Sequence, residues 1–192
     1  MMLLLRLKNR THSVFGITVG KARNDMQRKV FSLLVNNNAG LLSRVAGLFS
    51  RRGYNIDSIT SGATMDDRVT RITVVATGDD QILTQIEKQL AKLEDVIDIK
   101  ILKDGESVYR ELILVKVTAN ASQRSELISI ADIFRAKVVD VEEDSLMFEM
   151  TGTTSKITAF LKLMSPYGVL ELARTGITGL SRGSDGVYIP EE

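Results

Sequence analysis

The chain has 192 residues, a length that suits one larger domain or two compact ones. Its 44% hydrophobic and 26% charged residues are ordinary for a globular protein, and a net charge of +1 supplies no global field favouring nucleic acid or anionic lipid. With no cysteine and a single histidine, His12, the chain has no material for disulfides, thiolate metal sites or histidine clusters, so zinc sites and histidine-based triads are disfavoured.

The opening run Met1-Met2-Leu3-Leu4-Leu5 is too short to span a membrane, and its basic residues Arg6, Lys8 and Arg10 follow the apolar part instead of preceding it. Residues 1–28, which include a second possible initiator at Met26, read as an N-terminal arm or start-site extension. From Val30 to Val35 a β-prone run predicts a buried strand, ended by Asn36, Asn37 and Asn38. Gly40 then opens a helix with Leu42, Val45, Ala46 and Phe49 as its apolar face, and Gly53 stands where a helix ends. Asn55 to Gly62 predicts a second strand, and Asp66-Asp67 a charged hairpin tip with no sign of a perturbed carboxyl.

The next strand alternates Ile72, Val74 and Ala76 against Arg71, Thr73, Val75 and Thr77. Asp79 or Asp80 then caps a helix carrying Ile82, Leu83, Ile86, Leu90 and Leu93, and Ile97, Ile99 and Ile101 define a closing strand. The order is βαββαβ, and it occurs twice. After a polar linker at 104–107, strands at 108–117, 137–141, 145–151 and 169–173 and helices at 122–134 and after Gly152 repeat it. Gly78, Leu83, Ile86 and Leu90 match Gly152, Ile157, Phe160 and Met164 at a constant offset of 74 residues, and Ala46-Gly47-Leu48-Phe49 resembles Ala131-Asp132-Ile133-Phe134. The reading is therefore an α+β chain of two tandem ferredoxin-like units at 29–103 and 108–176, each an antiparallel sheet covered on one face by two helices, with a tail at 177–192. The second strand of such a unit lies at a sheet edge, where a second copy of the chain can add its own sheet.

Only the first unit carries the Asn37-Asn38-Ala39-Gly40 turn, with Gly53-Tyr54-Asn55-Ile56 beyond the helix. A helix-opening turn of this kind offers backbone N–H groups, here those of Gly40, Leu41 and Leu42, to a small carboxylate, and Gly40 admits close approach. No nucleophile, base or metal cluster stands beside it, so binding is favoured over catalysis. An RNA-recognition domain shares the βαββαβ order but needs aromatic residues on its third strand, and Arg71 to Thr77 contains none.

The segments Phe31 to Val45 and Leu48 to Ile59 resemble the ACT domain of the small, regulatory subunit of acetolactate synthase (acetohydroxyacid synthase). Gln85 to Leu93, Arg110-Glu111-Leu112, Leu114-Val115-Lys116, Ile133 to Val141, Ala173 to Gly176 and Gly179 to Gly183 extend the similarity over residues 27–183. The resemblance implies a cytoplasmic, non-catalytic homodimer, paired through ACT sheet edges, that binds a feedback amino acid, usually valine, at Asn37, Gly40, Leu41, Leu42, Asn55 and Ile56. Leucine and isoleucine remain open as ligands. It implies further that the C-terminal unit activates a large catalytic subunit holding thiamine diphosphate, magnesium and FAD, in branched-chain amino-acid biosynthesis. No cofactor, metal, nucleic acid or membrane is expected on this chain itself. The alternative is a stand-alone ACT-type sensor or adaptor that controls another partner.

Overall fold

The computed structural model describes residues 26–184, so the reading of 1–25 as an arm, and that of 185–192 as part of the tail, lie outside the described residues. The first half comprises β1 (Gln27–Asn36), α1 (Leu41–Arg51), β2 (Ser58–Ala63), β3 (Val69–Gly78), α2 (Asp80–Leu90) and β4 (Val96–Leu102). The second comprises β5 (Ser107–Thr118), α3 (Arg124–Phe134), β6 (Lys137–Val141), β7 (Ser145–Gly152), α4 (Thr154–Met164) and β8 (Val169–Arg174), followed by β9 (Thr178–Ser181). The sheets are antiparallel, in the orders β2-β3-β1-β4 and β6-β7-β5-β8, so the α+β fold with two ferredoxin-like units is as expected.

Each half buries its own core between helices and sheet. Phe31, Leu33 and Val35 of β1 and Ile72, Val74 and Ala76 of β3 meet Leu83, Ile86 and Leu90 of α2; Ile113, Val115, Val117 and Phe148 meet Ile157, Phe160 and Met164 of α4. Burying each large side chain contributes roughly 1.5–3 kcal/mol. The repeat at an offset of 74 residues extends to the caps: Asp79 accepts from the Ile82 N–H at 2.8 Å, and Thr153 from the Lys156 N–H at 3.4 Å. The other proposed match shifts, since Ala46 is exposed where Ala131 is buried, and Leu48 is buried where Ile133 is 78% exposed.

Several local expectations are corrected. The buried face of α1 is Leu41, Val45, Leu48 and Phe49, with Leu42 47% exposed and Ala46 also outside. The helix begins one residue after Gly40, and starting at Leu41 turns Leu41 inward, so the stripe rotates away from Leu42. In β4 it is Val96, not Ile97, that pairs with Val35, because the register shifts between Leu34 and Val35 and leaves Ile97 unmatched. β1 starts at Gln27, inside the expected arm, and β2 starts at Ser58, leaving Asn55 and Ile56 in the preceding loop. At the hairpin tip Asp66 is not an ordinary carboxyl: hydrogen bonds from the Arg68 side chain and N–H hold its pKa below the usual range.

The largest departure lies beyond Arg174. The chain crosses the outer face of the first sheet and forms β9 against the first residues of β5, Ser107 with Ser181 through Arg110 with Thr178. Ile177 joins Val30, Val75 and Leu102 in a third buried cluster, with Tyr109 packed against it and its hydroxyl donating to the Leu102 carbonyl at 2.6 Å. The first sheet is thus covered on both faces, by helices on one and by this strap on the other. Among the described residues no helix is long and apolar enough to cross a membrane.

Candidate functional site

The turn between β1 and α1 is built by its neighbours. Asn36 donates its N–H to the Asp95 carbonyl at 2.8 Å and Asn37 its N–H to the Arg68 carbonyl at 2.7 Å. The Asn37 amide donates to the Asp67 carbonyl at 3.1 Å, and the Asn38 amide to the Asp95 carboxylate at 2.8 Å, which also pairs with Arg44 at 2.6 Å. The Asn38 hydrogen bond, against the opposing effect of burial and with help from Arg44, holds Asp95 below the usual carboxylate range. Asn37 and Asn38 therefore each spend an amide proton bracing the turn, a role the sequence reading did not give them.

Gly40 caps the helix in the left-handed region, φ 80°, with no side chain hydrogen-bonded at this end. The Leu41 N–H is drawn back to the Asn38 carbonyl at 3.3 Å, whereas the N–H groups of Gly40, Leu42 and Ser43 have no acceptor among the described residues. The free donors are thus Gly40, Leu42 and Ser43 instead of the expected Gly40, Leu41 and Leu42. With the positive end of the α1 dipole behind them they suit a carboxylate, while the neighbouring Arg44 guanidinium is already paired with Asp95. The exposed Leu42 side chain gives the same place an apolar wall.

These residues line an open cleft of about 470 Å³ whose lining includes Asn37, Gly40, Leu41 and Leu42. Its opposite side is Ser61, Gly62 and Ala63 of the edge strand β2, with Thr70 of β3. Asn55 and Ile56 are not part of it: they follow the far end of α1, an eleven-residue helix that rises about 16 Å. There Gly53, φ 67°, ends the helix, the Tyr54 N–H returns to the Phe49 carbonyl at 3.0 Å, Ile56 packs against the core and Asn55 donates to Asp57 at 3.2 Å. Ser43 and the β2 residues escaped the sequence reading. Ser43 stands three residues beyond the glycine and could have been found by counting N–H groups; the β2 contribution depends on tertiary folding. No group of three or more metal-ligating side chains converges among the described residues.

Comparisons with known proteins agree with this architecture. Residues 31–98 match the family described as AHAS small subunit-like ACT domain, and residues 110–183 match that described as small subunit of acetolactate synthase. The chain is 51% identical over 156 residues to the probable acetolactate synthase small subunit of Methanothermobacter thermautotrophicus, spanning 81% of this chain and 93% of that protein. It is 45% identical over 164 residues to the acetolactate synthase small subunit of Mycolicibacterium smegmatis, spanning 85% and 96%. The crystal structure of the acetolactate synthase small subunit from Thermotoga maritima superposes with a TM-score of 0.76 at 37% identity, covering 82% of this chain and 99% of that one. Fold, both family matches and full-length relatives coincide, and the chain belongs to the acetolactate synthase small-subunit family.

Proposed function

We propose that this chain is the regulatory subunit of acetolactate synthase, that it activates the catalytic large subunit, and that it lowers that activity when valine occupies the cleft at Gly40. The observation that carries the sensing role is the set of open N–H groups at Gly40, Leu42 and Ser43 facing an exposed leucine. These would receive the carboxylate and the branched side chain of one small amino acid.

The edge strand supports a dimeric site. β2 pairs with β3 without a break from Ser58 to Ala63, so its outer edge is a regular template for another strand. Pairing of β2 with a second copy about a twofold axis runs the strands antiparallel, so the start of one lies beside the end of the other. That brings the Asn55–Ile56 segment of the second copy towards the cleft of the first, uniting residues that one chain keeps apart. The second half lacks such an edge, since β6 is interrupted between Val138 and Asp140. It exposes instead Val138, Val139, Val141, Val169, Leu170 and Leu172. Side-chain docking on these, without sheet extension, suits a different protein, and we assign it to the large subunit, which would carry the thiamine diphosphate, magnesium and FAD.

Valine can inhibit only by binding one state of the assembly better than the other, and a preference of about 1–3 kcal/mol gives roughly 5- to 150-fold control. Gly40→Asp tests the site. An added Cβ meets nothing closer than Arg44 at 3.7 Å, but φ +80° is strained for aspartate and its carboxylate would compete with the ligand's own. Calorimetry is expected to show valine binding weakened by at least about 100-fold while the variant still activates the large subunit; unchanged affinity would remove valine from this cleft.

A further inference from the structure

The cleft and the second half of the chain are joined through the strap. Thr60 of β2, the residue before the cleft-lining Ser61, donates its hydroxyl to the Thr175 carbonyl at 3.0 Å. Gly176, φ +84°, sits directly on β2: a Cβ there would lie 3.0 Å from Ser58 Cβ and 3.1 Å from Thr60 Oγ1. Backbone so close to two side chains, in a left-handed conformation, leaves room for glycine alone. On its other side the strap is tied to the second sheet. The Leu112 N–H donates to Thr175 Oγ1 at 3.1 Å and the Thr175 N–H to the Leu112 carbonyl at 3.1 Å. Arg174 then pairs with Glu111, which is 2% exposed and also receives the Thr154 hydroxyl from the start of α4. Three consecutive residues, Arg174, Thr175 and Gly176, thus hold β2 on one side and β5 and α4 on the other.

We infer that this junction, Thr60 and Gly176 against Arg174-Thr175 and Glu111, is the mechanical link by which occupancy of the β2 cleft reaches the C-terminal half. The inference rests on the proposed amino-acid site. Its physical basis is that β2 is an edge strand, held on one flank by β3 and across its outer face by the strap, so a ligand that shifts Ser61–Ala63 moves Thr60 with them. Because Thr175 bonds to β2 through its carbonyl and to β5 through its N–H and hydroxyl, displacement of one changes the geometry of the other.

The test uses the full chain with Thr60→Val, which removes one hydrogen bond and keeps the shape, and Gly176→Ala, which lifts the strap. Amide hydrogen exchange is read at 58–63, 107–118 and 169–181, with and without valine, alongside calorimetric titration and inhibition of the reconstituted enzyme. In the ligand-free chain Gly176→Ala is expected to raise exchange at 58–63 by about tenfold or more; no change there would show that the strap does not hold β2 and would overturn the inference whatever valine does. In the wild type valine is expected to alter exchange at 107–118 as well as at 58–63. Thr60→Val should bind valine within about threefold of the wild type while losing the response at 107–118 and about tenfold in sensitivity to inhibition. A variant that transmits the response unchanged, or that loses valine binding along with it, overturns the link. A wild type that binds none of valine, leucine and isoleucine overturns the amino-acid site instead, and the ligand-free exchange of Gly176→Ala then decides by itself whether the strap holds β2.

Discussion

The two halves share a fold and differ in how their first helices begin. In the second half the Asn120 side chain accepts from the Gln123 N–H at 3.1 Å and Gln123 reaches back to the Asn120 N–H at 3.2 Å, closing the turn on itself. α2 and α4 are closed by Asp79 and Thr153. At neither α1 nor α3 does a side chain cap the first helical N–H groups, but only α1 among the four α-helices of the described residues opens on a left-handed glycine. A left-handed glycine takes the place of a cap, and the donors are left to whatever fills the cleft. The lesson is that a repeat copies the packing code, whereas the candidate site comes from how one helix is opened, by a glycine turn where the other half has the closed Asn120–Gln123 turn.

The likeness of the halves can be broken at several levels of strength. The matched core positions should fail together: Phe160→Ala should cost about 3–5 kcal/mol and Ile86→Ala about 2–5 kcal/mol, since both side chains are fully buried. Denaturant unfolding that shows two separate transitions would mean the halves unfold independently despite the strap; one shared transition would mean the strap fuses them. Lysine at the two second-strand edges should separate their roles. Ile59→Lys is expected to raise the dissociation constant of the proposed dimer by at least about tenfold, read by sedimentation, while Val139→Lys leaves it unchanged; equal effects would abolish the distinction between the regular and the interrupted edge.

Glu111 adds a pH dependence to the joint between the halves. Burial pushes its carboxyl up, but the Arg174 guanidinium and the Thr154 hydroxyl outweigh burial and leave it below the ordinary value of 4.5. A carboxyl lowered in the folded state stabilises the fold above its ordinary value, and that contribution is lost as pH falls through the lowered value. Thermal unfolding of the wild type should therefore weaken below about pH 4.5 more than that of Glu111→Gln; parallel curves would remove Glu111 from the joint. The caps give the smallest effect: Asp79→Ala and Thr153→Ala should each cost about 1 kcal/mol, the first more because its hydrogen bond is 2.8 Å against 3.4 Å.

Much of this architecture was legible because it repeats. Strand alternation in Ile72, Val74 and Ala76, and the helical spacing of Leu83, Ile86 and Leu90, are local patterns that burial enforces twice. Leu42 was misplaced because the helical period leaves phase to the starting residue, and Leu41 took the inward position. Ile97 was misplaced because it is the extra residue where β4 skips one position against β1, and alternation along one strand does not show where its pairing skips. The strap was invisible for a similar reason. Thr178 to Ser181 is short and carries one large apolar residue, Leu180, so only its pairing with Ser107–Arg110 makes it a strand. The site was half legible: Gly40 announced the turn, but the wall at Ser61–Ala63 comes from tertiary folding.

That strap also sets an order of events for a growing chain. The first sheet can close as soon as β4 has emerged, yet Val30 and Val75 on its outer face wait for Ile177, which is made only after the whole second half. Contacts of such sequence separation form late, and until they do the nascent protein presents an apolar sheet surface to its neighbours. Chains truncated before Thr175 should consequently be prone to aggregate even though both helix-covered cores are complete, which makes the last described stretch a completion signal for folding as well as a part of the fold.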